Sequence, residues 1–422
     1  MADVDDYAWL AGPEAALWLE RCRTAQTPLL KTLDSMRKEL GVRRATLVSS
    51  QSELRRKGAA KFGVLAEKML FEAALLEQAS DLATARYVAA TLARSAIDAL
   101  EIDDYCCGLG GNLMAFAERA PAALAAWDHS DVALYLAQHN LGTVADAGAK
   151  FAEFVCRDVG DANPSAARRW HIDPGRRHAG RRSVDAAEHS PPADVWRQWL
   201  RTAPYGAIKL APGYDPDLLG LQDVVCEWIS RDRECRQLVI WGRAAVGYEN
   251  SRVATRAPCV FTSPVCATNS AAEPTPRSGA AQFVGEPDVD VPPAAHLGSF
   301  LAEPDSAVVA ARLSGALAES QGLNPLGPGA IYLTGDRQPD HPLLAVFEVE
   351  TQLPLRIGPV ADYLTANRLR CTEVKKRGVE IDPAQWLKRL PREGDDEASL
   401  IATRVGPRRL AIVARRITSS AD

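Results

Sequence analysis

The sequence predicts an α/β protein with a helical N-terminal region, a central domain built on a parallel sheet, and a separate C-terminal α/β domain. Apolar residues recur at three and four positions over 1–90, short apolar runs alternate with helix-like segments over 91–295, and a second alternation covers 296–422. The first spacing is typical of amphipathic helices, and the alternation is typical of sheets covered by helices. The chain has 422 residues, more than one hydrophobic core usually supports, which favours several domains.

The N-terminal region, 1–90, contains three strongly periodic segments, "PEAALWLERC", "PLLKTLDSMRKEL" and "KFGVLAEKMLFEAALLEQA". We expect amphipathic helices here. A basic cluster in this region includes Arg55, Arg56, Lys57 and Lys61. These charges form either solvated helix faces interleaved with acids or one side of an RNA-binding surface.

The central domain, 91–295, contains six short apolar runs that predict strands: "AIDALEIDDYCCG", "PAALAAWDH", "AEFVCRDV", "RRWHIDPG", "YGAIKLAPG" and "QLVIWG". Helix-like segments separate most of them, which predicts parallel pairing, and ligands of such sheets bind beyond the carboxyl ends of the strands. The composition changes to Pro, Ser, Thr, Ala and Gly between 257 and 293. That change indicates a linker, with or without a short edge hairpin.

The C-terminal domain, 296–422, opens with "SFLAEPDSAVVAARLSGALAESQG", which predicts a helix with Asp305 and Ser306 near its start. Strand-like and helix-like segments then alternate through "LLAVFEVET", "VADYLTANRL", "CTEVKKRGVEI" and "DPAQWLKRL" to "ASLIATRVGPRRLAIVARRI". We therefore expect a second, separate α/β domain.

The composition narrows the class of protein. The chain is 47% hydrophobic and 24% charged, which is typical of a globular protein. Its formal net charge of -5 argues against bulk attraction to nucleic acid or membrane, although local basic patches are compatible with it. Nine cysteines without a C-x-x-C pair, and histidines without an H-E-x-x-H motif, favour reduced thiols and no metal site. The N-terminal residues lack the pattern of a secretory signal and no apolar run is long enough for a membrane span, so we expect a cytoplasmic protein.

The first strand of the central domain leads into a glycine turn, "DYCCGLGGN", at Asp104–Asn112. Leu113 occupies the third glycine position of a dinucleotide fingerprint, and the turn lacks the G-K-[ST] of a phosphate-binding loop. Glycine lets a backbone approach a small cofactor closely. Asp104, four positions before Gly108, provides a carboxylate for an amino group, which favours an amino-acid-bearing nucleoside.

Acidic residues also end the next three predicted strands. Asp128 lies about twenty residues beyond the turn, where an acid can accept the two ribose hydroxyls of a nucleoside. Asp158 follows the third strand and can read the adenine amino group, and Asp173 with Pro174 follows the fourth. This ordered series predicts a site for S-adenosylmethionine.

The motif at Asp104–Asn112 resembles motif I of class I S-adenosylmethionine-dependent methyltransferases, in particular those of a bacterial family with a C-terminal THUMP-like domain. Further segments are similar to that family, including "SELRRKGAAKFG", "DPGRRHAGRRSVD", "IKLAPG", "VKKRGVEIDP" and "TRVGPRRLAIV". The resemblance implies a Rossmann-like methyltransferase core over 91–295, a THUMP-like domain over 296–422, and an RNA substrate such as tRNA or rRNA. The expected cofactor-binding residues are Asp104, Cys107, Gly108, Gly110, Gly111, Asn112, Asp128, His129 and Asp158.

Four positions depart from patterns that the resemblance suggests. Asn112 and Ser130 stand where the family usually has acidic residues, and Gly175 replaces the alanine of a D-P-A-R-R run. Arg176 stands where the N/D-P-P-Y loop of amino-directed methyltransferases has a stacking tyrosine. An arginine plane can also stack on a base.

The chemistry of methyl transfer suggests roles for the residues after the fourth strand. An exocyclic amine is a poor nucleophile, and hydrogen bonds from its N–H groups to the Asp173 carboxylate and the Pro174 carbonyl would localise its lone pair. Asp173 and Pro174 are therefore the expected catalytic residues, for orientation of the amine and for acceptance of its proton. The expected RNA contacts, besides those of the N-terminal cluster, are Arg176, Arg177, Lys209, Lys375, Lys376 and Arg377. Two alternatives stay open: an RNA-binding or assembly factor that keeps a cofactor-binding fold, and a methyltransferase that acts on a protein or a small molecule.

Overall fold

A computed structural model describes residues 2–24, 29–94, 100–144, 152–175, 177–178, 181–182, 190–246, 251–257 and 280–417. The chain divides into two compact units. The first comprises Met1–Cys226, Arg236–Asn250 and Ala257–Asn269, and the second comprises Glu227–Cys235, Ser251–Arg256 and Ser270–Asp422.

Helices form most of the first 93 residues, as the apolar spacing predicts. The helices of the first unit are α1 (Val4–Leu10), α2 (Pro13–Thr24), α3 (Leu29–Phe62), α4 (Ala73–Gln78), α5 (Leu82–Ala93), α6 (Gly111–Ala117), α7 (Asp131–Leu141), α8 (Ala193–Thr202) and α9 (Arg243–Val246). Gly41 interrupts α3 with a φ of +76°. Asp81 caps the N-terminus of α5 by accepting a hydrogen bond from the Thr84 N–H, which satisfies a backbone donor at the helix start.

A twisted sheet forms the centre of the first unit. Its strands are β1 (Glu101–Tyr105), β2 (Ala123–Asp128), β3 (Ala152–Cys156), β4 (Arg169–Ile172), β7 (Gly206–Leu210), β8 (Val224–Arg231) and β9 (Glu234–Gly242), while β5 (Arg177–His178) and β6 (Arg181–Arg182) form a separate pair. The order is β8-β9-β7-β4-β1-β2-β3, in which β7, β4, β1, β2 and β3 are parallel and β9 is antiparallel to β7. The carboxyl ends of the five parallel strands therefore meet at one edge.

The helical region packs into the same compact unit as the sheet, whereas the sequence predicts a boundary near residue 90. Asn140 of α7, which is fully buried, joins the two parts. Its side chain accepts a hydrogen bond from the Leu70 N–H at 2.8 Å and donates to the carbonyl oxygens of Leu70 and Leu109 at 3.0 and 2.9 Å. The N-terminal helices, which the sequence predicts as a separate region, thus pack against the sheet domain.

The second unit is a mixed α/β structure. The β8–β9 hairpin continues into it as Glu227–Cys235 and lies next to β10 (Arg252–Arg256), which pairs with β11 (Ala281–Gly285). Its further strands are β12 (Phe300–Pro304), β13 (Asn324–Pro325), β14 (Leu333–Gly335), β15 (Leu344–Pro354), β16 (Leu369–Lys376), β17 (Asp396–Val405) and β18 (Arg408–Ile417), in the order β13-β14-β12-β15-β18-β17-β16. Its helices are α10 (Ser306–Ala310), α11 (Ser314–Ser320), α12 (Ile357–Ala366) and α13 (Pro383–Arg389).

The strands of this sheet carry apolar residues on both faces. Leu400 and Val413 belong to one buried cluster, and their chain neighbours Ile401 and Ile412 belong to another. Since successive side chains of a strand point to opposite faces, the sheet has a core on each side. Within the described ranges, every helix of the chain is too short or too polar to cross a membrane.

One local prediction was partly wrong, and one strand was missed: a helix does start at Ser306 with Asp305 as its cap, as expected, but it does not cover the whole predicted segment. The segment predicted as one helix begins with β12 and continues as two short helices, because Asp305 caps α10 through the Ala307 N–H at 2.9 Å and Arg312, at a φ of +60°, interrupts the helical backbone. The sequence analysis also missed β8, whose residues are nearly all buried and therefore lack the alternation of a half-exposed strand.

Candidate cofactor and active site

The glycine turn between β1 and α6 adopts left-handed backbone conformations at three positions. Cys106, Gly108 and Gly110 have φ values of +55°, +54° and +85°. A Cβ atom on Gly110 would lie 3.0 Å from the Ala137 Cα, so the absence of a side chain lets the turn pack directly against α7. A Cβ on Gly108 would have only the Leu75 Cδ2 nearby, at 3.8 Å.

Asp128, at the end of β2, links the turn to the next loop. One carboxylate oxygen accepts a hydrogen bond from the Gly108 N–H at 3.0 Å, and the other accepts from the Ser130 N–H at 3.0 Å. The His129 Nδ1 lies 3.4 Å from the second oxygen. Because a carboxylate oxygen can accept two hydrogen bonds, Asp128 keeps acceptor capacity for a ligand hydroxyl.

A cavity of about 830 Å³ lies over this turn. Its lining combines residues of the turn and the strand ends, such as Cys107 and Asn112, with residues of the N-terminal helical region, such as Tyr7 and Phe71. The ionisable side chains that line it are Glu72, Asp128, His129 and Asp173, and the described lining contains no lysine or arginine. The cavity is therefore suited to a cationic ligand and poorly suited to a phosphate.

Asn112 offers an unused acceptor in this cavity. Its side chain is buried, it lines the cavity, and its Oδ1 has no hydrogen-bond partner among the described residues. A buried carbonyl oxygen without a partner is costly unless a ligand donates to it.

Asp104 lies beneath the turn and does not line the cavity. Its side chain is 1% exposed, and its Oδ1 is 2.7 Å from the Nδ1 of His171, which is itself fully buried on β4. Burial raises the pKa of the Asp104 carboxyl, although His171 opposes that shift. The neighbouring strand thus supplies a partner for Oδ1, whereas the Asp104 Oδ2 is buried without a hydrogen-bond partner among the described residues, so the expected contact with a ligand amino group stays a prediction.

Asp173, at the end of β4, reaches the cavity and is held by β7. The Lys209 Nζ donates to the Asp173 Oδ2 at 2.5 Å and to the Gln78 carbonyl at 3.1 Å, and the Lys209 residue is only 4% exposed. Lys209 is therefore a buried partner of Asp173 rather than an exposed RNA contact, which corrects the expectation from sequence. Pro174 is buried, and Gly175 beyond it lines the cavity.

Other expected site residues have varied surroundings. Gly111 and Cys107 line the cavity, while the exposed Asp158 accepts a hydrogen bond from the Gly160 N–H at 2.8 Å and caps a short helical turn. The sequence analysis missed Glu72, which lines the cavity, and His171. A polar residue inside a buried strand was the available signal for His171, whereas no local pattern marks Glu72.

Several of the expected RNA contacts in the N-terminal cluster are bonded within the protein. Arg55 donates to the Met69 carbonyl at 3.0 Å, and Lys61 donates to three carbonyl oxygens at the end of α4, at 2.7–2.9 Å. Both side chains are thus bonded to backbone carbonyl oxygens of the protein, which corrects the expectation that Arg55 and Lys61 contact RNA. Arg56 and Lys57 are exposed, and Lys57 pairs with Glu53 at 2.7 Å.

The basic residues at the end of β16 surround an acid of the second unit. Lys375 donates to the buried Glu303 at 2.8 Å, and the half-exposed Arg377 lies 3.8 Å from the same carboxylate. Lys376 donates to the Ile381 carbonyl at 2.9 Å. Arg176 and the Arg177 side chain lie outside the described part of the chain.

Comparison with known proteins identifies the family. Over 384 residues the chain is 31% identical to an uncharacterized S-adenosylmethionine-dependent methyltransferase of Mycobacterium tuberculosis strain H37Rv, which covers 88% of this chain and 96% of the relative. The corresponding protein of strain CDC 1551 gives the same values. Residues 344–416 match the family model described as THUMP domain-like. The chain belongs to the class I S-adenosylmethionine-dependent methyltransferases with a THUMP-like domain.

A solved structure shares the fold of this methyltransferase. A crystal structure of a candidate methyltransferase from Porphyromonas gingivalis W83 has a TM-score of 0.64 at 16% identity and covers 96% of this chain and 98% of its own. The predicted fold class, with a Rossmann-like core and a THUMP-like domain, is confirmed.

The residues of the methyltransferase cavity fit its cofactor, S-adenosylmethionine. This cofactor carries an ammonium, a sulfonium and a carboxylate, so its net charge is positive, and it has no phosphate, which matches a lining with acidic groups and without lysine or arginine among the described residues. The unpartnered Asn112 Oδ1 is available to its ammonium or hydroxyl groups, and the glycine turn provides a close backbone approach.

Proposed function

We propose that this methyltransferase methylates an exocyclic amine of a base in structured RNA, such as tRNA or rRNA. The observation that carries the choice of RNA is the THUMP-like match at 344–416, because the family resemblance associates such domains with RNA-modifying enzymes. An acidic group at the reaction end of the cavity, Asp173, supports an amine acceptor.

The cofactor contacts follow from the surroundings of each residue. The Asn112 Oδ1 and the backbone around Gly108 and Gly111 hold the methionine part, and Asp128 accepts the ribose hydroxyls. His129 lines the cavity next to Asp128, whereas Asp158 is not among its described lining residues and stays a candidate for the adenine amino group by its position after β3. Asp104 acts through His171 as a positioning residue, since the pair ties β1 to β4 below the turn.

Asp173 orients the acceptor amine. Lys209 bonds the Asp173 Oδ2, and within the described residues Oδ1 has no bond, so Oδ1 is free to accept a hydrogen bond from the amine. Together with the Pro174 carbonyl it directs the nitrogen lone pair toward the methyl group. When bound, S-adenosylmethionine supplies an electrophilic methyl group on sulfur. The amine loses one proton to water after transfer.

The RNA contacts in this proposal come from exposed basic residues. Arg56, Lys57, Lys376 and Arg377 remain candidates, since their side chains reach solvent. Arg176 and Arg177 follow Asp173 in the chain and remain candidates by that position. Such contacts position a nucleic acid without reading its sequence.

Radiolabel transfer to RNA from a deletion strain tests the proposal. We expect label from S-adenosylmethionine in tRNA or rRNA with the wild-type protein, and a missing methylated nucleoside in the deletion strain by mass spectrometry. Asp173→Asn should reduce the transfer rate about 100-fold or more while cofactor binding persists. Asp34→Asn, which neutralises an exposed acid of α3, serves as the control.

Other outcomes contradict the proposal in distinct ways. Label in protein or in the small-molecule fraction would indicate a different acceptor class. Cofactor binding and RNA binding without any transfer would indicate an RNA-binding or assembly factor.

A further inference from the structure

A second cavity, of about 810 Å³, lies in the first unit at the start of β7. Its lining includes Pro204, two residues before β7, whereas Lys209 bonds Asp173 near the other end of that strand. With a rise of roughly 3.3 Å per residue, this cavity lies more than about 10 Å along the strand from the reaction end of the cofactor cavity. The group bound here therefore does not itself reach the transferred methyl group.

The lining of this cavity is cationic. Arg197 and Arg201 of α8 and Arg243 of α9 contribute three guanidinium groups, and Asp223 contributes one carboxylate, which leaves two positive charges in excess. The cofactor cavity has the opposite character, with acids and without lysine or arginine in its described lining. The two cavities thus suit ligands of opposite charge.

The two arginines of α8 are not neutralised inside the cavity. They are four residues apart and therefore share one helix face. The Arg197 side chain bonds Asp194 at 3.2 Å, but that acid is 91% exposed, and the buried Arg197 Nε has no partner among the described residues. Arg201 is exposed and, in the part of the chain that the structure describes, forms no ion pair.

Packing holds in place the helix α8, which carries two of these arginines. Trp196 and Trp199 on the opposite face of α8 are buried, and the Trp199 ring packs 4.8 Å from the Tyr105 ring of β1. On the other side of the cavity, Arg243 bonds the Asp223 carboxylate at 3.2 Å and its backbone N–H donates to the Asp223 carbonyl at 3.1 Å. Donors on rigid elements lose little entropy when they bind a ligand.

We infer that the Arg197–Arg201–Arg243 cavity binds a phosphate group. A guanidinium group can bind two phosphate oxygens at once, and three arginines that line one cavity with a single acid provide an excess of positive charge. The phosphate belongs either to a nucleic-acid backbone or to a small phosphorylated ligand, since both present the same oxygens.

Titration calorimetry with inorganic phosphate in a phosphate-free, low-salt buffer tests this site on the full chain. We expect Arg201→Glu and the double variant Arg197→Ala/Arg201→Ala to weaken phosphate binding about tenfold or more, as expected for lost charge-assisted hydrogen bonds. Arg337→Glu makes the same charge change as Arg201→Glu on an exposed residue of the second unit and should leave phosphate binding unchanged. Binding of S-adenosylhomocysteine to each variant verifies that the first unit is folded.

A single-stranded 12-nucleotide RNA identifies the source of the phosphate. If the double variant weakens RNA binding and lowers the slope of log affinity against log salt by about 1.4, the site contacts a nucleic-acid backbone. If it weakens inorganic phosphate binding only, the ligand is a small phosphorylated molecule. If the wild-type protein binds neither probe more tightly than the double variant does, the inference is wrong. None of these results depends on methyl transfer, so the proposed function is tested separately.

Discussion

Replacing Gly110 by alanine probes the close packing between the cofactor turn and α7. Gly110 has a φ of +85°, and a Cβ there would lie 3.0 Å from the Ala137 Cα and 3.2 Å from the Ala137 Cβ. A left-handed residue with a side chain costs about 1–2 kcal/mol, and overpacking adds about 1–3 kcal/mol. We therefore expect Gly110→Ala to lower the free energy of unfolding by about 2–5 kcal/mol.

Gly108→Ala is the matched comparison in the same turn. Gly108 has a φ of +54°, but a Cβ there would meet only the Leu75 Cδ2, at 3.8 Å. The loss of stability should therefore be limited to the backbone strain of about 1–2 kcal/mol. Gly108 lines the cofactor cavity, so its new methyl group should instead weaken S-adenosylmethionine binding about tenfold, the equivalent of about 1.4 kcal/mol.

The two variants are compared by urea unfolding, followed by tryptophan fluorescence, and by calorimetric titration with S-adenosylhomocysteine. We expect Gly110→Ala to be the less stable variant by about 1–3 kcal/mol. The packing argument is refuted if the two variants unfold at the same urea concentration with equal slopes.

Three further predictions concern charged and polar groups. His171→Phe should lower the free energy of unfolding, measured in urea, by about 3–5 kcal/mol, because it leaves the buried Asp104 carboxylate without its partner. Adding Asp104→Asn should restore part of this stability. Equal stability of the single and double variants would contradict the argument. Burial, with the nearby Lys209, lowers the pKa of Lys61 from 10.5 to about 8. Stability should therefore rise between pH 8 and 10.5, since the unfolded chain releases this proton later, and Lys61→Met should lack that rise; parallel pH profiles would exclude it. Asn112→Asp should tighten S-adenosylmethionine binding about three- to tenfold in calorimetry, since it adds a negative charge near a cationic ligand; weaker binding contradicts that charge argument.

Local patterns were sufficient to predict the elements that carry the site. The parallel strands β1, β2, β3, β4 and β7 all lie within predicted runs, because short apolar segments between helices are a local signal. The left-handed turn after β1 is also a local feature, since its glycines are visible in sequence. The segment at Phe300–Pro304 was misassigned because the predicted helix was extended backward over its apolar residues, although Pro304 and Asp305 separate them from the helix that follows.

Local patterns could not predict pairs of bonded side chains that lie far apart in the sequence. Asp104 and His171 are 67 residues apart, and Asp173 and Lys209 are 36 apart, so neither pair has a spacing that sequence alone could identify. The charge of a side chain also does not show whether that side chain is bonded within the protein or exposed to solvent. Lys375 carries the same charge as an exposed lysine, yet it bonds Glu303 of β12, which lies 72 residues earlier.

The distribution of charge in the first unit gives the two ends of β7 different chemistry. At the carboxyl end, Lys209 is buried against Asp173, so these two charges offset each other, and Glu72 and Asp128 remain as the carboxylates that the cofactor cavity presents to a cationic ligand. At the amino end, Arg197 and Arg201 face a cavity whose lining includes one acid, Asp223. A phosphate at the carboxyl end would meet these acids, and a sulfonium at the amino end would meet the arginines, each at a Coulombic cost. Because the two cavities lie at opposite ends of β7, the first unit can hold a positively charged cofactor and a negatively charged ligand at the same time. The acids of the cofactor cavity repel the phosphate, and the arginines of the second cavity repel the sulfonium.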